Sequence, residues 1–530
     1  MDIQTKVKMF RWLVGLGFKE IEVGYPSASD IEFNFVRRLI AESLIPDDVT
    51  IQVLTPARSG LIDRTVQALV GAKRAIVHLY NGVGPAQQKS VFKCTEHGVI
   101  ELAVQGVLRI QSQLHNLSGT EVTLQYSPEY FGATPLDISR RICEAVMNTW
   151  GAKSERKVIL NLPESVELLH AGVYPDMIEW MCRNLDNRKS AIISLHVHND
   201  RGTGIAKMEF GLMAGGERVE VAVLNAGERA GQADAVTLGG NMYASGVFPG
   251  LHFDKIGGIA ERYEEFTGLS VSDLHPYAGS SAFLQRSGGH QHAVVCGLEQ
   301  WRKQGFQGNW HDTVPYLHVD PEDFGVSRPN LFRVTTQSGA RGIGYLLQQH
   351  FGIRPPKEML RDFNARSCDE IDRLGAELGP EDLKRMFWKE YVDVTSPLEF
   401  VRFESTDITR SGEGVEAYSE AQQNGHTKSA NTTGTGPIDA FKAALIKMGV
   451  PVFEVLDYHA DSLGTDAEAQ AIAYVSIEIR QEIWWGAGVD TNSEWAPLRA
   501  IVSAMNRYLI AQTNTQMDAA GGIPCLIGSI

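Results

Sequence analysis

From residue 1 to about 260, short β-branched apolar runs alternate with longer amphipathic stretches, and this alternation fixes the fold class. The runs fall at 20–23, 51–54, 75–79, 122–126, 158–162, 192–196 and 219–224. Helical periodicity marks 31–41, 61–69 and 96–114, and two further helices open at Pro135 and Pro175, because a helix tolerates proline in its first turn. Strands separated by helices must all run the same way, so the pattern predicts a parallel sheet covered by helices.

Several runs end in polar residues: Tyr126-Ser127-Pro128-Glu129, Asn161-Leu162-Pro163-Glu164, His196-Val197-His198-Asn199-Asp200 and Asn225-Ala226-Gly227-Glu228. In a (β/α)8 TIM barrel the chemistry sits at the C-terminal ends of the strands, as this clustering requires. Only seven runs are visible and the chain opens with a helix-like segment at 5–14, so the expectation is an α/β TIM barrel whose first strand is missing or outside the given chain. The 530 residues exceed one ordinary domain. Expected boundaries are 1–270 for the barrel, 271–397 for looser helical linker subdomains, and 398–530 for a small C-terminal α+β domain. Its strands are expected near 452–458, 471–478 and 482–489, and its helices at 438–448 and 494–509.

Charge and cysteine usage exclude several classes. With 49 Lys+Arg against 64 Asp+Glu the net charge is −15, which lacks the basic surplus that nucleic-acid binding needs. No run approaches the roughly 18 apolar residues of a membrane span. Six isolated cysteines read as reduced, mostly buried thiols of an intracellular protein. No signal or transit pattern opens the chain, so a cytoplasmic location is expected, with a mitochondrial one open if the true N-terminus lies upstream.

His196 and His198 are two apart on a strand and therefore share a face, so both imidazoles can reach one divalent cation; two ordinary surface or core histidines are the competing reading. Gly227 and Gly231 allow a close backbone approach to a ligand, or an ordinary turn.

Together, SLHVHNDRGTG (194–204), YSPE (126–129), ILNLPESVE (159–167), GERAGQ (227–232) and GPIDAF (436–441) resemble the 2-isopropylmalate synthase family in its longer, leucine-regulated form. The resemblance implies an acyltransferase condensing acetyl-CoA, the co-substrate, with 2-oxoisovalerate or a related branched 2-oxo acid in leucine biosynthesis. It implies a divalent metal (Zn2+, Mg2+ or Mn2+) held by His196, His198 and Gln232, where glutamine replaces the usual asparagine. The family's remaining ligand, an Asp beside a catalytic Arg on the first barrel strand, is absent from the chain as given. That absence predicts impaired turnover, or an Arg-Asp strand encoded just upstream. Implied catalytic residues are Glu129, His290 and Tyr316. Ser165 replaces the threonine that contacts the oxo-acid carboxylate, and Leu54, His78, Ser127 and Asn161 match the side-chain pocket. His292 stands where Asp is usual and Ala340-Arg341 where Lys-Gly is usual. The C-terminal domain is implied to bind leucine and to form a homodimer. Two alternatives stay open: a catalytically impaired paralogue acting as a regulatory or assembly subunit, and a secondary-metabolism relative using another 2-oxo acid, such as an aromatic one.

Overall fold

The computed structural model describes residues 1–252, 258–392, 394–407, 414–464 and 469–519. They divide into two compact units: Met1–Phe283 with Asp320–Val326, and Leu284–Val319 with the chain from Ser327 onward.

In the first unit all seven apolar runs form strands: β1 (Glu20–Glu22), β2 (Thr50–Pro56), β3 (Arg74–Gly82), β4 (Glu121–Glu129), β5 (Val158–Glu164), β6 (Ala191–Val197) and β7 (Arg218–Glu220). They make one parallel sheet in sequential order, and among the described residues its edges β1 and β7 do not pair. Strand alternation sorts the side chains onto two faces. Ile51, Val53, Val77, Leu79, Leu124, Tyr126, Leu160, Leu162, Ile193, Leu195 and Val197 are buried in the helix-covered core. Each such aliphatic burial contributes about 1.5–3 kcal/mol. The intervening positions carry Gln52, His78, Gln125, Ser127, Asn161, Ser194 and His196, so the opposite face is polar. Helices Ile3–Gly15 and Asp30–Ala41 start where Asp2 and Ser29 accept hydrogen bonds from the amides of Thr5 and Glu32.

Several boundaries differ from expectation: β3 and β4 run on to Gly82 and Glu129, and the helix expected at 494–509 runs to Ala519. β7 stops at Glu220, because Leu224 and Asn225 adopt φ of 54° and 59° and the Leu224 amide donates to Asp234 at 2.6 Å. The helix expected to open at Pro175 begins at Val173, which places the proline within its first turn. The cysteine expectation also needs correction. Cys143 is buried, but Cys94, Cys182, Cys296 and Cys368 are only half-buried; all five are free thiols, and Cys525 lies outside the described residues.

The second unit opens with helices, including Gly288–Lys303, Ala340–Phe351 and Lys357–Leu374. Two three-stranded antiparallel sheets follow: β8 (Leu398–Asp407), β9 (Val415–Gln423) and β10 (His426–Gly434), then β11 (Glu454–Leu463), β12 (Gln470–Ile479) and β13 (Glu482–Asp490). Phe400, Phe403, Phe441, Val475, Ile477, Ala500 and Met505 share one core. Helix Trp495–Ala519 lies so close to β13 that a Cβ on Gly486 would sit 2.2 Å from the Ala500 carbonyl oxygen. No described helix is long and apolar enough to cross a membrane.

Candidate active site

The polar face of the first unit converges on Glu220. Its carboxylate accepts hydrogen bonds from Gln52 (2.9 Å), Gln125 (2.7 Å), Asn161 (2.9 Å) and Arg218 (3.1 Å), and pairs with His196 Nδ1 at 2.9 Å. Burial opposes its ionisation, but the His196 hydrogen bond and the charges of His78, His196 and Arg218 outweigh burial and hold the carboxyl well below its usual range. His78 bridges Glu22 (2.8 Å, through Nδ1) and Ser127 (2.7 Å, through Nε2), and Asn161 donates to the same Ser127 hydroxyl at 3.0 Å. Burial lowers the His78 pKa, yet the Glu22 hydrogen bond and the Glu220 charge raise it on balance.

Three of the four residues expected to form the side-chain pocket, His78, Ser127 and Asn161, are thus joined directly. Leu54 stands beside His78 in the β2–β3 register. Sequence reading missed Glu22 and Glu220, which with His78 form the cluster of potential metal-ligand type among the described residues. The available signal was their inward register next to the polar positions of β2 and β6.

A cleft of about 620 Å³ lies between β1 and β7, lined in part by Glu22, Gln52, His196, Arg218, Glu220 and Gln232. Arg218 donates to Glu20 at 2.6 Å and to Gln52 at 2.9 Å.

His196 and His198 have ring centroids 5.5 Å apart, and the His198 backbone forms a β-bridge with Gln232, so the three positions expected to bind metal are neighbours in the fold. Burial, with the neighbouring His196 and Arg229, pushes the His198 pKa down to about 4, leaving a neutral imidazole at pH 7. Its Nδ1 is buried without a hydrogen-bond partner. The His196–Glu220 pair is the carboxylate–imidazole arrangement that orients a ligating ring. The unpartnered, neutral His198 nitrogen is the type of donor that a divalent cation takes. Gly231 lets this loop fold tightly on itself: its φ is +82°, and a Cβ there would fall 1.7 Å from the Asn225 carbonyl oxygen.

Glu129 ends β4, where Gln87 donates to it at 3.4 Å. Burial, aided by the Glu228 charge, raises its pKa. Just beyond β5, the Ser165 hydroxyl accepts the Tyr130 amide at 2.9 Å. The other two expected catalytic residues belong to the second unit, where His290 stacks on Tyr316 with centroids 4.0 Å apart and planes 20° off parallel. Nearby on the same helix, His292 and Cys296 both receive hydrogen bonds from Arg341, so the replaced positions form a local cluster of their own.

The HMGL-like family model matches residues 1–262, the stretch that carries the parallel sheet, the paired imidazoles and the buried Glu220 carboxylate. Residues 281–348 match the alpha-isopropylmalate synthase post-catalytic domain and 377–509 the LeuA allosteric (dimerisation) domain. The 2-isopropylmalate synthase of Clostridium acetobutylicum is 41% identical over 512 residues, covering 96% of this chain and 91% of that protein. The synthase of Acetoanaerobium sticklandii is 39% identical over 519 residues, covering 98% and 91%, and that of a Parafrankia species 42% over 512, covering 96% and 90%. The chain belongs to the 2-isopropylmalate synthase family.

Proposed function

We propose that the protein condenses acetyl-CoA with 2-oxoisovalerate to give 2-isopropylmalate and CoA, the entry reaction of leucine biosynthesis. Identity of about 40% to synthases of that name along nearly the whole chain is the observation that carries this reading. The joined His78–Ser127–Asn161 set supports it locally.

In this reading His196, His198 and Gln232 would hold a divalent ion, which when bound would supply Lewis-acid polarisation of the oxo-acid ketone. The Ser165 hydroxyl binds the oxo-acid carboxylate. Glu129, its pKa raised towards the working range of a base, takes a proton from the acetyl methyl group. The resulting carbanion equivalent forms a carbon–carbon bond to the ketone carbon, and the former ketone oxygen becomes an alkoxide that must be protonated. His290 and Tyr316 are assigned to proton transfer on the family correspondence. Water then cleaves the thioester, CoA leaves as its thiol, and a free carboxylate remains. Leucine is assigned to the C-terminal domain and a homodimer to the same region, supported by the LeuA match.

A thiol-release assay comparing 2-oxoisovalerate with phenylpyruvate tests the substrate assignment. Release of CoA with the branched acid, at least about tenfold faster than with the aromatic one, is expected of a pocket built to discriminate by size. Faster release with the aromatic acid refutes it.

A further inference from the structure

Lys207, on helix Gly204–Met213, is fully buried and has no role in the reaction as described. Its ammonium donates to Glu164 Oε2 at 2.7 Å and to the Leu169 carbonyl at 2.9 Å, and lies 3.2 Å from Glu167 Oε1. Three N–H groups therefore face three acceptors. Glu164, the last residue of β5, also accepts the Leu169 amide at 2.9 Å. Glu167 accepts the Arg201 amide and the Thr203 hydroxyl from the loop after β6. The Glu167 amide donates to Asp200 at 2.9 Å; Arg229 donates to Asp200 at 2.7 Å and to the Ser165 carbonyl at 2.6 Å.

Desolvating one ammonium and two carboxylates is expensive, and a well-packed apolar cluster of similar volume is often at least as stable. What the charged cluster adds is directionality: it ties the loop bearing Ser165 to the loop that follows His198. We propose that Lys207 is a positioning residue, which through Glu164 and Glu167 fixes Ser165 relative to His198. The proposal rests on the reading of Ser165 as the carboxylate contact and His198 as a metal ligand.

The test uses the full chain carrying Lys207→Met with Glu164→Gln, which removes one charge of each sign and keeps the acceptor for Leu169. Amide hydrogen exchange in 165–169 and 199–203 is expected to speed up about tenfold or more, with β5 and β6 still protected. Mn2+ affinity, read by electron paramagnetic resonance, should fall about 10- to 100-fold, as when a ligand's supporting partners are lost. The KM for the 2-oxo acid should rise while that for acetyl-CoA stays within about twofold. Unchanged exchange in both loops overturns the proposal whatever the activity. Loosened loops with unchanged Mn2+ affinity and KM also overturn it, since the cluster is then only structural. A wild-type protein that neither binds Mn2+ nor turns over refutes the site reading, and the exchange result alone then decides the coupling of the loops. Should the double variant not fold, Thr203→Val removes one donor to Glu167 and is read by the same measurements.

Discussion

The chemistry proposed for this site depends on a few groups whose charge is set by their neighbours. Glu129 must be ionised to act as a base, and its raised pKa means that condition is lost as the pH falls through a midpoint above the ordinary glutamate value of about 4.3. The kcat/KM profile should show that acidic limb. Because Glu228 adds a like charge, Glu228→Gln should move the limb to lower pH, while burial, the larger cause, keeps it above the ordinary range. An acidic limb that persists in Glu129→Gln rules out the assignment of Glu129. Glu220 holds the His196 ring at 2.9 Å, so Glu220→Gln should weaken Mn2+ binding about 10- to 100-fold, measured by titration. His196→Ala should abolish metal-dependent activity, and unchanged activity would remove the ligand assignment.

Most strands and helices are legible in the sequence to within a few residues, because β-branched runs and helical periodicity report burial directly, but the helix expected at 494–509 runs on to Ala519 and the strand expected near 452–458 to Leu463. β7 was read too long, since the positive φ of Leu224 is imposed by Asp234, ten residues away, and no local propensity encodes it. The same limit hid Glu220. It sits on a short strand and becomes a hub only when β2, β4, β5 and β6 bring Gln52, Gln125, Asn161 and His196 around it. The His-x-His pair was visible because its spacing alone places both rings on one face. In the C-terminal domain, the close contact of β13 with its helix predicts that Gly486→Ala destabilises by about 1–3 kcal/mol, and Phe441→Ala by about 3–5 kcal/mol, in thermal or urea unfolding. A Gly486→Ala protein as stable as wild type would contradict the packing described.

Taken whole, the molecule combines a catalytic α/β unit with a second unit containing the LeuA-type fold. If residues 377–509 mediate pairing as that domain's description states, light scattering should give twice 58.3 kDa, and a monomer at micromolar concentration would contradict the dimer. Leucine should reduce turnover of the intact chain without competing with the 2-oxo acid, as coupling between two separate sites requires.

The central claim is that this chain joins an acetyl group to a branched 2-oxo acid. It is tested most directly by incubating the protein with 13C-labelled acetyl-CoA, 2-oxoisovalerate and Mn2+, and following 2-isopropylmalate by mass spectrometry. The account predicts labelled 2-isopropylmalate in step with CoA, absent without the oxo acid and lost in Glu129→Gln. CoA released without 2-isopropylmalate, or no product after prolonged incubation at high protein concentration, would contradict it.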